Sequence, residues 1–130
     1  MNIKFIGTGS GLTSVERFHS SFLITSSDYK VLVDCGDGIS KALLYQNIDF
    51  NSINAVIISH LHADHFAGLP SLLTQMKLTG RKEKLKIYVH ESNSGFIKDF
   101  IQHSYLLAER FPFEFEIIPF SEEKEIFLSD

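Results

Sequence analysis

The sequence holds a single cysteine, no tryptophan and three prolines in 130 residues. A lone cysteine cannot close an internal disulfide, so a disulfide-stapled scaffold is excluded. No apolar run approaches the roughly 18 residues that a membrane-spanning helix requires. Residues 1–7 are too short and too interrupted for a secretory leader. Basic charge is also scarce: 12 Lys and Arg face 16 Asp and Glu, a net charge of −4. That balance argues against a purely electrostatic nucleic-acid binder, but not against an enzyme that acts on nucleic acid. Neither a phosphate-loop Gly-Lys-Ser/Thr signature nor a Gly-x-Ser-x-Gly nucleophile elbow is present. Gly7-Thr8-Gly9 with a later acid at Asp34 loosely mimics a dinucleotide fingerprint. Residues 12–20 are too short for the crossover helix that this fingerprint needs, so nicotinamide and flavin binding are set aside. The expectation is a reduced, soluble, cytoplasmic domain over residues 1–130, without a membrane partner.

What is there is a core and one dense polar cluster. Hydrophobic residues make up 44% of the chain and twelve are phenylalanines, enough for a domain of this size to bury about two-thirds of its unfolded surface. Residues 1–6 read as a strand that ends in a glycine-rich loop at Gly7, Gly9 and Gly11. Residues 21–25 and 29–34 read as a hairpin around a small polar turn. Apolar positions Ile39, Ala42, Leu43 and Leu44 predict a helix over 39–46. The run 55–59 is continuously apolar, as in a strand buried on both faces. Residues 60–65 read as a loop and 66–78 as a helix, with its start moved toward Gly68 and Leu69 by Pro70 and a C-cap at Gly80. A strand is expected over 85–90, a helix over 94–110, an alternating strand over 113–117 with its phenylalanines inward, and a last strand over 125–128. The pattern gives an α/β fold, a mixed β-sheet with helices packed on one face.

The cluster is His60-Leu61-His62-Ala63-Asp64-His65. Neutral imidazole and carboxylate are the usual non-sulfur ligands of zinc and similar divalent ions. On an extended loop His60 and His62 point the same way and can grip one ion. Asp64 and His65 are adjacent and diverge, so they would serve a second ion nearby. The cluster follows a buried strand and precedes a helix, where α/β sheets place their ligands. The plain alternative is that Asp64 caps the next helix and the histidines are solvated. Asp34, at the end of its own strand, reads either as a carboxylate that orients a ligand histidine or as an Asx-type turn. His90, His19 and His103 read as local hydrogen-bonders or surface residues, and Cys35 as packing. Lys77, Arg81, Lys82, Lys84 and Lys86 form a basic stretch that either helps to hold a polyanion or is an ordinary solvated connection.

The cluster matches the His-x-His-x-Asp-His signature and so resembles the metallo-β-lactamase superfamily. The segments Phe5-Ile6-Gly7-Thr8-Gly9-Ser10-Gly11, Glu16-Arg17, Ser20-Ser21, Val33-Asp34-Cys35-Gly36-Asp37-Gly38 and Asp64-His65-Phe66-Ala67-Gly68-Leu69-Pro70 resemble its ribonuclease Z branch, which matures transfer RNA 3′ ends. Ala63 and Asp37 stand where that branch often has Gly and Glu, and a Gly-Pro pair usual near Val89-His90 is absent. The resemblance implies two zinc ions, the first on His60 and His62 and the second on Asp64 and His65, with Asp34 as a structural carboxylate beneath the loop. It implies hydroxide attack on phosphorus, with Asp64 as the catalytic residue that orients or deprotonates water, a precursor tRNA or other phosphodiester as substrate, and a homodimer. Other hydrolases on this scaffold act on lactones, thioesters or cyclic nucleotides, and these stay open. The resemblance covers the first half of an αββα sandwich whose further ligands lie in a second half. The chain is therefore also open to being a non-catalytic or incomplete metal-binding unit, with weak zinc binding and an uncovered apolar sheet face.

Overall fold

The computed structural model describes residues 1–123, 125, 126 and 128. Six strands lie in one sheet in sequential order: β1 (Asn2–Gly7), β2 (Ser21–Ser26), β3 (Tyr29–Val33), β4 (Ala55–Ile58), β5 (Leu85–His90) and β6 (Phe115–Phe120). β1, β2 and β3 pair antiparallel, and β3 through β6 pair parallel. The sequence dictates this change of direction. A short Ser-Asp turn can only reverse the chain, whereas each later connection carries a helix long enough to return it for a parallel neighbour. Those helices are α1 (Ile39–Tyr45), α2 (Ala63–Phe66), α3 (Leu69–Leu78) and α4 (Ser94–His103).

The pleat sends alternate strand residues to opposite faces. Leu23, Leu32, Val56 and Ile87 share one face through the registers Leu23↔Leu32, Leu32↔Val56 and Val56↔Ile87. There they form a single buried cluster with Ala42 and Leu43 of α1, Leu72, Leu73 and Met76 of α3, and Ile97 and Ile101 of α4. Each such aliphatic side chain contributes about 1.5–3 kcal/mol when fully buried. The opposite face carries Val31, Ala55 and Tyr88, with Ile24, Ile57, Ile118 and Phe120 only partly covered. On β1, Ile3 and Phe5 are 56% and 64% exposed. The expected apolar, incompletely covered face is present.

Several boundaries move. Residues 60–65 are not all loop, because Ala63, Asp64, His65 and Phe66 form the single turn α2. The helix expected over 94–110 stops at His103, and Tyr105 then adopts φ 60°. This left-handed residue reverses the chain so that Leu106 packs back on the core. The alternating strand begins two residues late, at Phe115, and runs through Pro119 to Phe120. Proline is tolerated there because β6 is an edge strand whose outer side has no ladder to feed. Phe113 is buried and Phe115 packs on the core, so the phenylalanines do face inward. Gly80 caps α3 with φ 79°, its N–H donating to the Lys77 carbonyl. The strand expected over 125–128 lies partly outside the described residues.

Candidate metal centre

The carboxyl ends of the parallel neighbours β3 and β4 lie side by side, and the chain leaves both at the same edge. Asp34 follows β3 and Ser59 follows β4. The Asp34 N–H still donates to the Ile57 carbonyl at 2.8 Å, which extends the ladder by one rung. Past that rung the side chain takes over from the backbone. Asp34 Oδ1 accepts the Ser59 N–H at 2.8 Å, and Oδ2 accepts the Ser59 hydroxyl at 2.8 Å. Oδ2 also accepts His65 Nδ1–H at 2.7 Å. Asp34 is 6% exposed and sits at φ 63°, a left-handed conformation that aspartate tolerates better than most residues. A buried carboxylate needs donors on both oxygens, and here it has them. The carboxylate reading of Asp34 thus fits better than the simple turn.

Two glycines let the loops close on one another. A Cβ at Gly36 would collide with the Asp64 carbonyl oxygen, and one at Gly68 with the Gly36 carbonyl oxygen. Main-chain bonds lock this contact: Cys35 N–H to the His65 carbonyl at 2.8 Å and Gly68 N–H to the Cys35 carbonyl at 2.9 Å. α2 is thereby fixed over the end of β3, with Asp64 and His65 on its outer turn. His65 Nε2 lies 3.3 Å from Asp64 Oδ2. His60 Nε2 lies 3.1 Å from His62 Nδ1, and the His60 and His65 rings are 4.1 Å apart.

All five predicted residues are therefore gathered in one place: His60, His62, Asp64 and His65 around one another, and Asp34 beneath them. Among the described residues no three His, Cys, Asp or Glu side chains are set to hold one ion. The donors stand instead as two contacting pairs, His60 with His62 and Asp64 with His65. The donor chemistry still fits a borderline divalent metal. A carboxylate only accepts, so His65 Nδ1 carries a proton toward Asp34, which leaves Nε2, on the Asp64 side, as the nitrogen that would face a metal. At Gly11, an added Cβ would lie 3.2 Å from Asp64 Oδ2, so the glycine-rich loop packs closely along this carboxylate.

Other sequence candidates separate from the site. His90 Nδ1 meets the Ser92 hydroxyl at 2.7 Å, and its ring stands edge-on to Phe120. His19 Nδ1 reaches the Ser10 carbonyl at 2.8 Å and tethers the glycine-rich loop. Cys35 is buried, and desolvation, aided by Asp34, pushes its thiol well above the ordinary range. It is a packing residue. The basic stretch needs correction as a polyanion surface. Arg81 is 2% exposed. Its Nε donates to the Glu83 carbonyl at 2.7 Å, Nη2 to the Lys84 carbonyl at 3.0 Å and Nη1 to the Asn51 carbonyl at 3.3 Å. Burial pulls the guanidinium below its ordinary value, against the upward pull of Glu83 and Asp49. Lys84 is engaged by Glu116 at 2.7 Å and Glu114 at 3.3 Å.

Sequence reasoning passed over Ser59 and the Gly36–Gly68 interlock. The signal for Ser59 is its place as the first polar residue after β4, directly before His60. The signal for the glycines is that each sits one or two residues beyond a carboxylate-bearing strand end or turn.

Comparison with known proteins covers most of the chain. A family model described as Anti-Pycsar protein Apyc1 matches residues 1–104. A ribonuclease Z of Metallosphaera sedula is 35% identical over 115 residues, spanning 88% of this chain and 39% of that protein. The crystal structure of human tRNase Z, short form, superposes with a TM-score of 0.77 at 28% identity, over 92% of this chain and 45% of that one. The metallo-beta-lactamase fold protein YhfI from Bacillus subtilis superposes with a TM-score of 0.75 at 28% identity, over 98% and 48%. The chain spans about two-fifths of the length of the curated relatives it matches.

Proposed function

The chain belongs to the family described as Anti-Pycsar protein Apyc1, within the metallo-β-lactamase fold and alongside ribonuclease Z, and from that premise we propose that it serves a zinc-dependent phosphodiester hydrolase. The observation that carries this reading is the Asp34–His65 bond of 2.7 Å at the carboxyl end of the parallel strands, with Asp64 3.3 Å from the other nitrogen of the same imidazole. His60 and His62 would hold one zinc ion, Asp64 and His65 a second. Bound zinc supplies Lewis acidity, which lowers the pKa of water toward neutrality and offsets charge on phosphate oxygens.

The residues themselves do the rest. Asp34 holds the His65 ring in one orientation and fixes its proton on Nδ1. Gly36 and Gly68 keep α2 close enough for that bond to form. Asp64 would accept a proton from the attacking water, the general-base role open to its partly exposed carboxylate.

A precursor tRNA, cut at its 3′ end, is the substrate that likeness to ribonuclease Z favours. A second reading is a small phosphodiester such as a cyclic nucleotide. It is favoured by the loss of Arg81 and Lys84 from any polyanion surface and by the net charge of −4. Residues 1–130 would be the N-terminal half of the αββα sandwich, and the face bearing Ile3 and Phe5 the side on which its other half or a second copy lies. We also propose a cytoplasmic homodimer. Parallel assays with zinc on precursor tRNA, bis(p-nitrophenyl) phosphate, a cyclic nucleotide and an acyl lactone test the reading. Phosphodiester turnover abolished by His62→Ala or Asp64→Ala supports it, and preferential lactone turnover rejects it.

A further inference from the structure

We propose that Ser59 is a positioning residue that passes the influence of Asp34 to His60, so that one buried carboxylate sets the tautomer of two histidines. The importance of the relay rests on the reading of these histidines as metal ligands, but its geometry does not. A serine hydroxyl has one proton and two lone pairs. The Ser59 proton goes to Asp34 Oδ2, 2.8 Å away, because a carboxylate has none to give. Toward His60 Nδ1, at 3.0 Å, Ser59 can then present only a lone pair. His60 Nδ1 must therefore carry the ring proton.

With its proton on Nδ1, His60 has a lone pair on Nε2. That nitrogen and His62 Nδ1 converge to 3.1 Å, so these two atoms, not the two Nε2 atoms, are the pair placed to share one ion. His65 reaches the same protonation state as His60 directly from Asp34. His60 and His65 thus both keep Nε2 as the nitrogen that would face a metal. This is opposite to the tautomer that a free neutral histidine favours in water, so the environment must impose it. Ser59 is exposed; its position is fixed by its own N–H, which donates to Asp34 Oδ1 at 2.8 Å. Both donors of one residue grip the two oxygens of one carboxylate.

The test is a long-range proton–nitrogen NMR spectrum of the metal-free protein at a pH where the histidines are neutral. His60 and His65 should both be protonated on Nδ1. In Ser59→Ala, His60 should move to mostly Nε2-protonated while His65 stays unchanged, and Ser59→Thr, which keeps the hydroxyl, should restore the original pattern. Unchanged amide shifts away from the site exclude a folding defect. An Nε2-protonated His60 in the unsubstituted protein, or an unchanged His60 in Ser59→Ala, overturns the relay. Zinc titration separates the two claims. If the tautomers behave as stated and Ser59→Ala lowers zinc affinity about tenfold, both stand. If the tautomers behave but the protein takes up no zinc, the metal reading falls and the relay remains.

Discussion

Asp34 and Arg81 are both charged and both buried, at 6% and 2% exposure, yet they serve opposite purposes. Arg81 is satisfied by main-chain carbonyls of Asn51, Glu83 and Lys84 and by the face of Phe113, 5.5 Å away. Those carbonyls have no second state to adopt, so the guanidinium acts as a staple across the loop that feeds β5. Asp34 is satisfied mainly by side chains, the imidazole of His65 and the hydroxyl of Ser59, and by a single N–H. Its partners keep free nitrogen or oxygen lone pairs that point onward. A buried charge tied to backbone stabilises a fold. One tied to donors that have further chemistry to offer organises a site.

Substitutions at the two positions should therefore fail differently. Arg81→Met leaves carbonyls without a donor and should cost about 2–4 kcal/mol in urea unfolding, while the folded fraction keeps its zinc affinity. Asp34→Asn should do the reverse. The amide cannot accept from every donor now on the carboxylate, so zinc affinity should fall about 10–100-fold, with a smaller stability loss of about 1–2 kcal/mol. If both substitutions weakened zinc equally, the distinction would be lost. Gly11→Ala should act more mildly. Its Cβ would press on Asp64 at 3.2 Å, and zinc affinity should drop less than about tenfold with unfolding unchanged. Isothermal titration beside urea melts separates all three.

Much of this contrast was legible beforehand, and its limits are physical. Hydrophobic runs placed five strands within a residue or two, because alternation and continuous burial are local signals. The end of α4 was missed because residues 104–110 keep an apolar spacing that suits both a helix and a chain turned back on the core. Only the φ of Tyr105 distinguishes them. The cluster of donors was legible, and Asp34 as one of two readings. Ser59 was not, since a serine at a strand end carries no pattern of its own. Its role exists only once β3 and β4 lie parallel. Arg81 was misread for the same reason. Charge in a basic stretch predicts solvent, and only the closed loop shows that carbonyls surround it.

The central claim is that His60, His62, Asp64 and His65 form a metal centre ordered from below by Asp34. A zinc titration of the metal-free protein against a chromophoric chelator, run beside His62→Ala and Asp64→Ala, tests it most directly. The account predicts weak but saturable uptake by the unsubstituted chain and a loss of at least about tenfold in each variant. Equal uptake by all three proteins would contradict it.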